Sequence, residues 1–205
     1  LGQGGELQCW GERYGAGDDE DGSDRPRVVA GGWLLHAILP SATPPQLYNV
    51  TVASQPGSAA AGFPQFSAGG NGVMRNALFY QTGNALQLQD AATCDEILAG
   101  RLDITHSLFL ALTSPGNPDI DPAPCGSYLS PDVEAQFLQE AARGNRYLSN
   151  AASAAAELTA PDEPTLWDLR PMPGSLATTG GATPPNDGFF DPAATYVGAV
   201  APALA

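Results

Sequence analysis

Leu47-Tyr48-Asn49-Val50-Thr51-Val52, Met74-Arg75-Asn76-Ala77-Leu78-Phe79 and Thr105-His106-Ser107-Leu108-Phe109 are three versions of one phrase. In each, a polar residue (Asn49, Asn76, His106) precedes a small or β-branched residue and an apolar pair. The polar positions stand 27 and 30 residues apart. That period is too long for a hairpin and matches one turn of a stacked repeat. The phrases therefore read as equivalent rungs of a parallel β-helix, each side chain lying over its counterpart one coil below. Asn49-Val50-Thr51 is also formally an N-glycosylation acceptor, a use that needs a eukaryotic secretory route; a stacked Asn is the first reading.

Outward from the rungs, Phe63–Phe66 reads as a short strand and Gly69-Gly70-Asn71-Gly72 as a turn. Ala85-Leu86-Gln87-Leu88-Gln89 alternates, which points Leu86 and Leu88 inward and Gln87 and Gln89 outward. No helix of useful length is expected between these strands, so strand–helix–strand crossovers are set aside. Val28–Leu39 is too short and Gly-broken for a membrane span and reads as one or two buried strands. Beyond Leu112, Pro115, Pro118, Pro122 and Pro124 mark a loop that holds Asp119 and Asp121. Ser130-Pro131-Asp132 then opens a helix, with Ser130 as N-cap and Pro131 in the first position. Its apolar stripe is Val133, Phe137, Leu138 and Ala141, and Gly144-Asn145 is its stop. The Ala-rich run 151–156 reads as a second short helix or a loop, and prolines from Pro161 to Pro185 impose extended backbone. Two regions follow: coils with an acidic N-terminal loop over 1–130, and a helix plus an extended capping arm over 131–205.

Composition narrows the function. The chain has 205 residues, 24 Gly, 19 Pro and 15% charged residues, yet 43% are hydrophobic, which indicates a packed, loop-rich domain. All 8 basic residues are Arg, and the formal net charge is −14. Such a surface repels phosphate backbones and anionic lipid headgroups, and no apolar run is long enough to span a bilayer. Leu1-Gly2-Gln3-Gly4-Gly5 offers neither a basic nor an apolar leader segment. The expectation is a mature product or the later part of a longer protein. Cys94 and Cys125 lie 31 residues apart, about one repeat, so stacking brings them within bridging reach. Two unrelated buried thiols are the alternative, and Cys9 has no evident partner.

Trp167-Asp168-Leu169-Arg170-Pro171-Met172-Pro173-Gly174-Ser175-Leu176-Ala177 resembles the closing segment of right-handed β-helix proteins of the pectin-lyase-like superfold, with Leu176 where Pro is usual. Pro185-Asn186-Asp187-Gly188-Phe189-Phe190-Asp191-Pro192, followed by Tyr196-Val197-Gly198-Ala199, resembles the ending of a group of secreted or surface-anchored bacterial proteins without an assigned activity. That ending normally leads to a Trp-rich terminus, which Ala201–Ala205 does not supply. The resemblance spans residues 28–200. It implies an all-β class, a right-handed parallel β-helix of few coils with a short α-helix and a Pro-rich arm. It also implies an exported, bacterial setting in the periplasm, at the cell surface or outside the cell. The usual N-terminal coils are missing, so an open coil end near residues 1–30 is expected to be covered by a partner or by upstream residues.

Enzymes of that superfold need a Ca²⁺ carboxylate cluster with a base, or paired Asp groups at fixed separation. Asp119 and Asp121 form one pair, but in a Pro-rich loop rather than on a rung. Asp19, Asp21 and Asp24 share part of a calcium-loop spacing with the Gly22 turn; a solvated acidic loop is the plainer reading. His106 reads as a stacked, hydrogen-bonded rung residue, with a Ser/His/Asp assembly through Ser107 as the sharper alternative. Phe189, Phe190 and Tyr196 stand among Gly and Pro turns, where adjacent rings cannot all face one core, and are candidate partner contacts. The reading is a non-catalytic, exported structural or interaction subunit with no cofactor. Its partner is a protein of a larger cell-envelope assembly or the upstream part of its own precursor. The alternative is a Ca²⁺-dependent carbohydrate-binding or polysaccharide-cleaving protein.

Overall fold

The computed structural model describes residues 36–37, 44–53, 65–66, 68–83, 86–88, 90–112, 125–129, 132–162 and 168–202. In chain order the strands are β1 (His36–Ala37), β2 (Gln46–Tyr48), β3 (Thr51–Ala53), β4 (Gln65–Phe66), β5 (Gly72–Arg75), β6 (Leu78–Tyr80), β7 (Gln87–Leu88), β8 (Leu102–Thr105), β9 (Leu108–Leu110), β10 (Arg146–Leu148), β11 (Leu158–Ala160) and β12 (Asp168–Pro171). The helices are α1 (Ala91–Leu98), α2 (Val133–Gln139) and α3 (Ala151–Ala155). Three parallel sheets have the orders β1-β4-β7, β2-β5-β8 and β10-β9-β6-β3, and β11 pairs with β12 antiparallel.

The three opening phrases lie side by side. Leu47 is opposite Met74 and Met74 opposite Ile104, while Val52 is opposite Phe79 and Phe79 opposite Phe109. The chain passes from the second sheet to the third at Asn49, Asn76 and His106, all left-handed with φ of 54°, 57° and 53°. The register puts Gly144, φ 65°, at the same height before β10. Side chains with a Cβ resist this region, and Asn and His are among those that enter it most readily. The polar letter of the repeat thus stands where the backbone turns left-handed, a region that Ala68 and Ala111 also enter.

Apolar residues from all three sheets meet between them. Leu47, Met74 and Ile104 face Val52, Phe79 and Phe109, with Phe66, Leu86 and Leu88 closing the group. Phe79, Phe109 and Tyr147 stack with centroids 4.9 and 4.6 Å apart and planes within about 11°. Burial pushes the Tyr147 hydroxyl well above its ordinary pKa. The other face of the third sheet is covered as well: Leu78, Tyr80, Leu108 and Leu110 pack with Ala154 of α3, Leu158, Leu169, Ala177 and Val197. Burial on both faces explains the unbroken apolar runs of β6 and β9. The buried Tyr80 donates its hydroxyl to Asp162 at 2.5 Å.

The class is mixed α/β, and the expected all-β, right-handed parallel β-helix is corrected. Parallel sheets with helices make up the described residues: α1 lies between β7 and β8, and α2 and α3 flank β10. No helix of useful length is expected between the strands from sequence, yet α1 forms there with its own cap. Asp90 accepts hydrogen bonds from the Thr93 amide (2.8 Å) and hydroxyl (3.0 Å), and also from the Ala68 amide. α2 begins only at Val133, after an Asp132 whose side chain caps nothing; Ser130 and Pro131 lie outside the described residues. Glu134, fully buried, accepts from the Leu88 amide at 2.9 Å and ties α2 to the first sheet. Gln87, expected outside, is buried at 5% exposure. The Ala-rich run forms α3, capped by Asn150.

Two devices fix α1. Glu96 takes the Arg101 guanidinium through two bonds, 2.7 and 2.6 Å, and the Asn71 amide at 2.9 Å. Cys94 on α1 is joined to Cys125 by a disulfide. The Arg101 hydrogen bonds hold the Glu96 carboxyl below the usual carboxylate range, against the desolvation that pushes it up. A folded pKa below the unfolded value means stability that is present above about pH 4.3 and is lost as the pH falls through the depressed value. Glu96→Gln should lower the unfolding free energy at neutral pH by about 1–3 kcal/mol. It should also flatten the acid loss of stability between about pH 5 and pH 3. Urea midpoints across that range check this, and parallel curves would remove Glu96 as the cause. Reduction of Cys94–Cys125, or Cys94→Ala, should cost about 3–4 kcal/mol for a loop of this size. Unfolding with and without reductant measures it; an unchanged midpoint contradicts the staple.

Candidate functional site

The C-terminal arm folds back over the left-handed corners. A 3₁₀ turn at Leu176–Thr178 starts it, and the Val197 amide returns to the Ala177 carbonyl at 2.8 Å. The Asn76 side chain pairs with the Ala182 backbone in both directions, donating at 2.8 Å and accepting at 2.7 Å. Asn49 donates to the carbonyls of Ala194 (3.2 Å) and Tyr196 (2.6 Å). The Gly198 amide donates to the Asn76 carbonyl and the Ala199 amide to the Thr51 hydroxyl, each at 2.8 Å. Gly181 is the close-approach position: any Cβ there would overlap the Thr195 carbonyl. The same Asn residues that turn the backbone thus hold the arm with their amides.

Between these two anchored passes lies Asp187-Gly188-Phe189-Phe190-Asp191. The Asp187 carboxylate accepts the amides of Phe189 (2.9 Å) and Phe190 (3.2 Å), and these bonds keep its pKa below the usual range. Asp191 accepts the Ala193 amide at 2.9 Å. The Phe190 ring rests on Tyr48 of β2, 4.9 Å between centroids, and Phe189 meets Phe190 edge-on at 4.9 Å and 86°. Tyr48 is in turn backed by Arg75, whose Nη1 donates to the tyrosine oxygen at 3.2 Å and whose Cζ lies 5.9 Å from the ring centroid. Phe189 itself is 85% exposed.

The structure separates the three aromatic candidates. Phe189 is presented to solvent, Phe190 is the half-buried hinge against Tyr48, and Tyr196 is partly buried with its carbonyl committed to Asn49. Tyr48 and Arg75 were not singled out in this role from sequence. Alternation along β2 and β5 places both on the face opposite the partly buried Leu47 and the buried Met74, the one signal available. Asp19, Asp21 and Asp24 lie outside the described residues, as do Asp119 and Asp121. Among the described residues no group of three or more His, Cys, Asp or Glu could hold a metal ion, and no helix is long and apolar enough to cross a membrane.

The Ser107 hydroxyl is engaged by backbone groups on both sides. The Ser107 hydroxyl donates to the Thr105 carbonyl (3.0 Å) and accepts the Ala77 amide (3.1 Å). Asn145 accepts the Ser107 amide and donates to the carbonyls of Ile104 and Leu138, each at 2.9 Å. His106 lies opposite Asn76 in register; its amide donates to the Arg143 carbonyl at 2.9 Å, while its buried Nδ1 has no hydrogen-bond partner among the described residues. No family, curated protein or solved structure matches the chain.

Asn76→Ala should lose both bonds to Ala182 and force an alanine into the left-handed region, costing about 2–4 kcal/mol together. Asn76→Gly should recover about 1 kcal/mol, the backbone share. Hydrogen exchange should show lost protection at Ala182 and Gly198 in both variants. Undiminished protection would show that Asn76 does not hold the arm.

Proposed function

We propose that the protein is a non-catalytic, exported interaction subunit that docks onto a larger cell-envelope assembly through the turn 187–191. The carrying observation is the exposure of Phe189 on a turn already fixed by Asp187 and seated on Tyr48. A large ring left in water gives up favourable burial of roughly 1.5–3 kcal/mol. A partner that covers it gains that burial without having to order the turn first. The Cys94–Cys125 bridge supports residence in an oxidising compartment. The acidic, lysine-free composition favours a protein partner over nucleic acid or an anionic membrane. The calcium-dependent alternative rests on carboxylates outside the described residues, and no described feature favours it.

Phe189→Ala should leave the melting temperature within about 1 °C, since the ring contributes little to the fold, while weakening partner recovery about tenfold. Quantitative pull-down from the envelope fraction, wild type beside variant, checks this. Equal recovery of a stoichiometric partner by both would sink the turn as the docking element.

A further inference from the structure

Resting on that reading, we infer that the partner presents an apolar pocket rimmed by Lys or Arg. Phe189 is bracketed in sequence by Asp187 and Asp191, both exposed. Each carboxylate uses one oxygen, Oδ1, on the turn's own amides, and neither meets a cation among the described residues. The protruding group is therefore one apolar ring between two negative charges that no cation among the described residues meets. Arg75 donates Nη1 to the Tyr48 oxygen and forms no ion pair with either carboxylate.

Charge complementarity selects the occupant. A second copy of a chain of net charge −14 would bring like charges together, and an anionic lipid surface would repel the tip. A neutral glycan could stack on Phe189 but would leave both carboxylates unanswered. A basic-rimmed protein pocket satisfies ring and carboxylates together, with the ring giving affinity and the charges giving orientation and encounter rate.

The test places p-benzoylphenylalanine at position 189 by amber suppression in the cells that make the protein, followed by irradiation and mapping of the cross-linked peptide. The expected adduct is a protein segment of apolar residues flanked by Lys or Arg. The purified partner is then titrated with wild type and with the D187N/D191N double variant. Asn keeps the oxygen that accepts the turn amides, so the loop geometry survives and only charge is lost. Association at low ionic strength should slow about tenfold, and its salt dependence should shrink. A protein adduct lacking basic residues, or identical salt-dependent kinetics for both forms, overturns the basic rim while leaving the docking reading standing. Adducts with glycan or lipid alone, or no protein adduct, overturn both.

Discussion

Left-handed backbone at one repeated height is the constraint on which the rest of the structure depends. Asn49, Asn76, His106 and Gly144 each turn the chain from one strand position to the next with φ between 53° and 65°. Each non-glycine corner costs on the order of 1 kcal/mol in backbone energy. Regular inter-strand bonds offset that cost. The Asn49 amide donates to the Arg75 carbonyl at 3.1 Å, the His106 amide to the Arg143 carbonyl at 2.9 Å, and the amides of Leu78 and Leu108 to Val50 and Ala77 at 2.8 Å. Because the corners are in register, the second and third sheets meet at a constant edge, and the apolar faces of both turn toward the same interior.

That edge has a consequence for the arm. Asn is tolerated at the corner for its backbone, but its amide then projects from it and needs partners. The arm supplies them through the backbones of Ala182, Ala194 and Tyr196. Val197 is buried completely beside Leu78 and Leu108, so apolar burial and polar satisfaction hold the same segment. The turn between the two anchored passes is held at both ends, and within it Asp187 accepts the amides of Phe189 and Phe190.

What the sequence disclosed follows from how local each signal is. The offsets of the three phrases and the spacing of Cys94 and Cys125 are repeat properties, and periodicity carries them without tertiary knowledge. α1 was missed because its stability comes from Asp90 reaching Ala68 and from Glu96 binding Arg101 and Asn71, contacts beyond the helix's own span. The fourth corner was missed because Gly144 reaches the left-handed region with no side chain to mark the phrase. Gln87 was placed outside by alternation, yet the packing around β7 buries both of its faces. The aromatic seat was the least legible part. Tyr48 and Phe190 meet only after the arm has crossed most of the chain length, and no pattern within a window of residues encodes that return.

The acidic composition divides into two kinds of carboxylate with opposite physical roles. Asp90, Glu96 and Asp168 are tied by amides or guanidinium groups and lie below the usual carboxylate range; in Asp90 burial is the largest single influence and pushes up, but the hydrogen bonds together outweigh it. Acid therefore removes stabilising bonds, although it also relieves the repulsion of a net −14 chain. Asp187 and Asp191 differ because their hydrogen bonds shape only their own turn, and no cation among the described residues meets their charge beside the exposed ring. A fold that needed only the turn could keep it with Asn, which accepts the same amides without adding like charge. The two charges at that tip therefore hold nothing among the described residues that Asn could not hold as well.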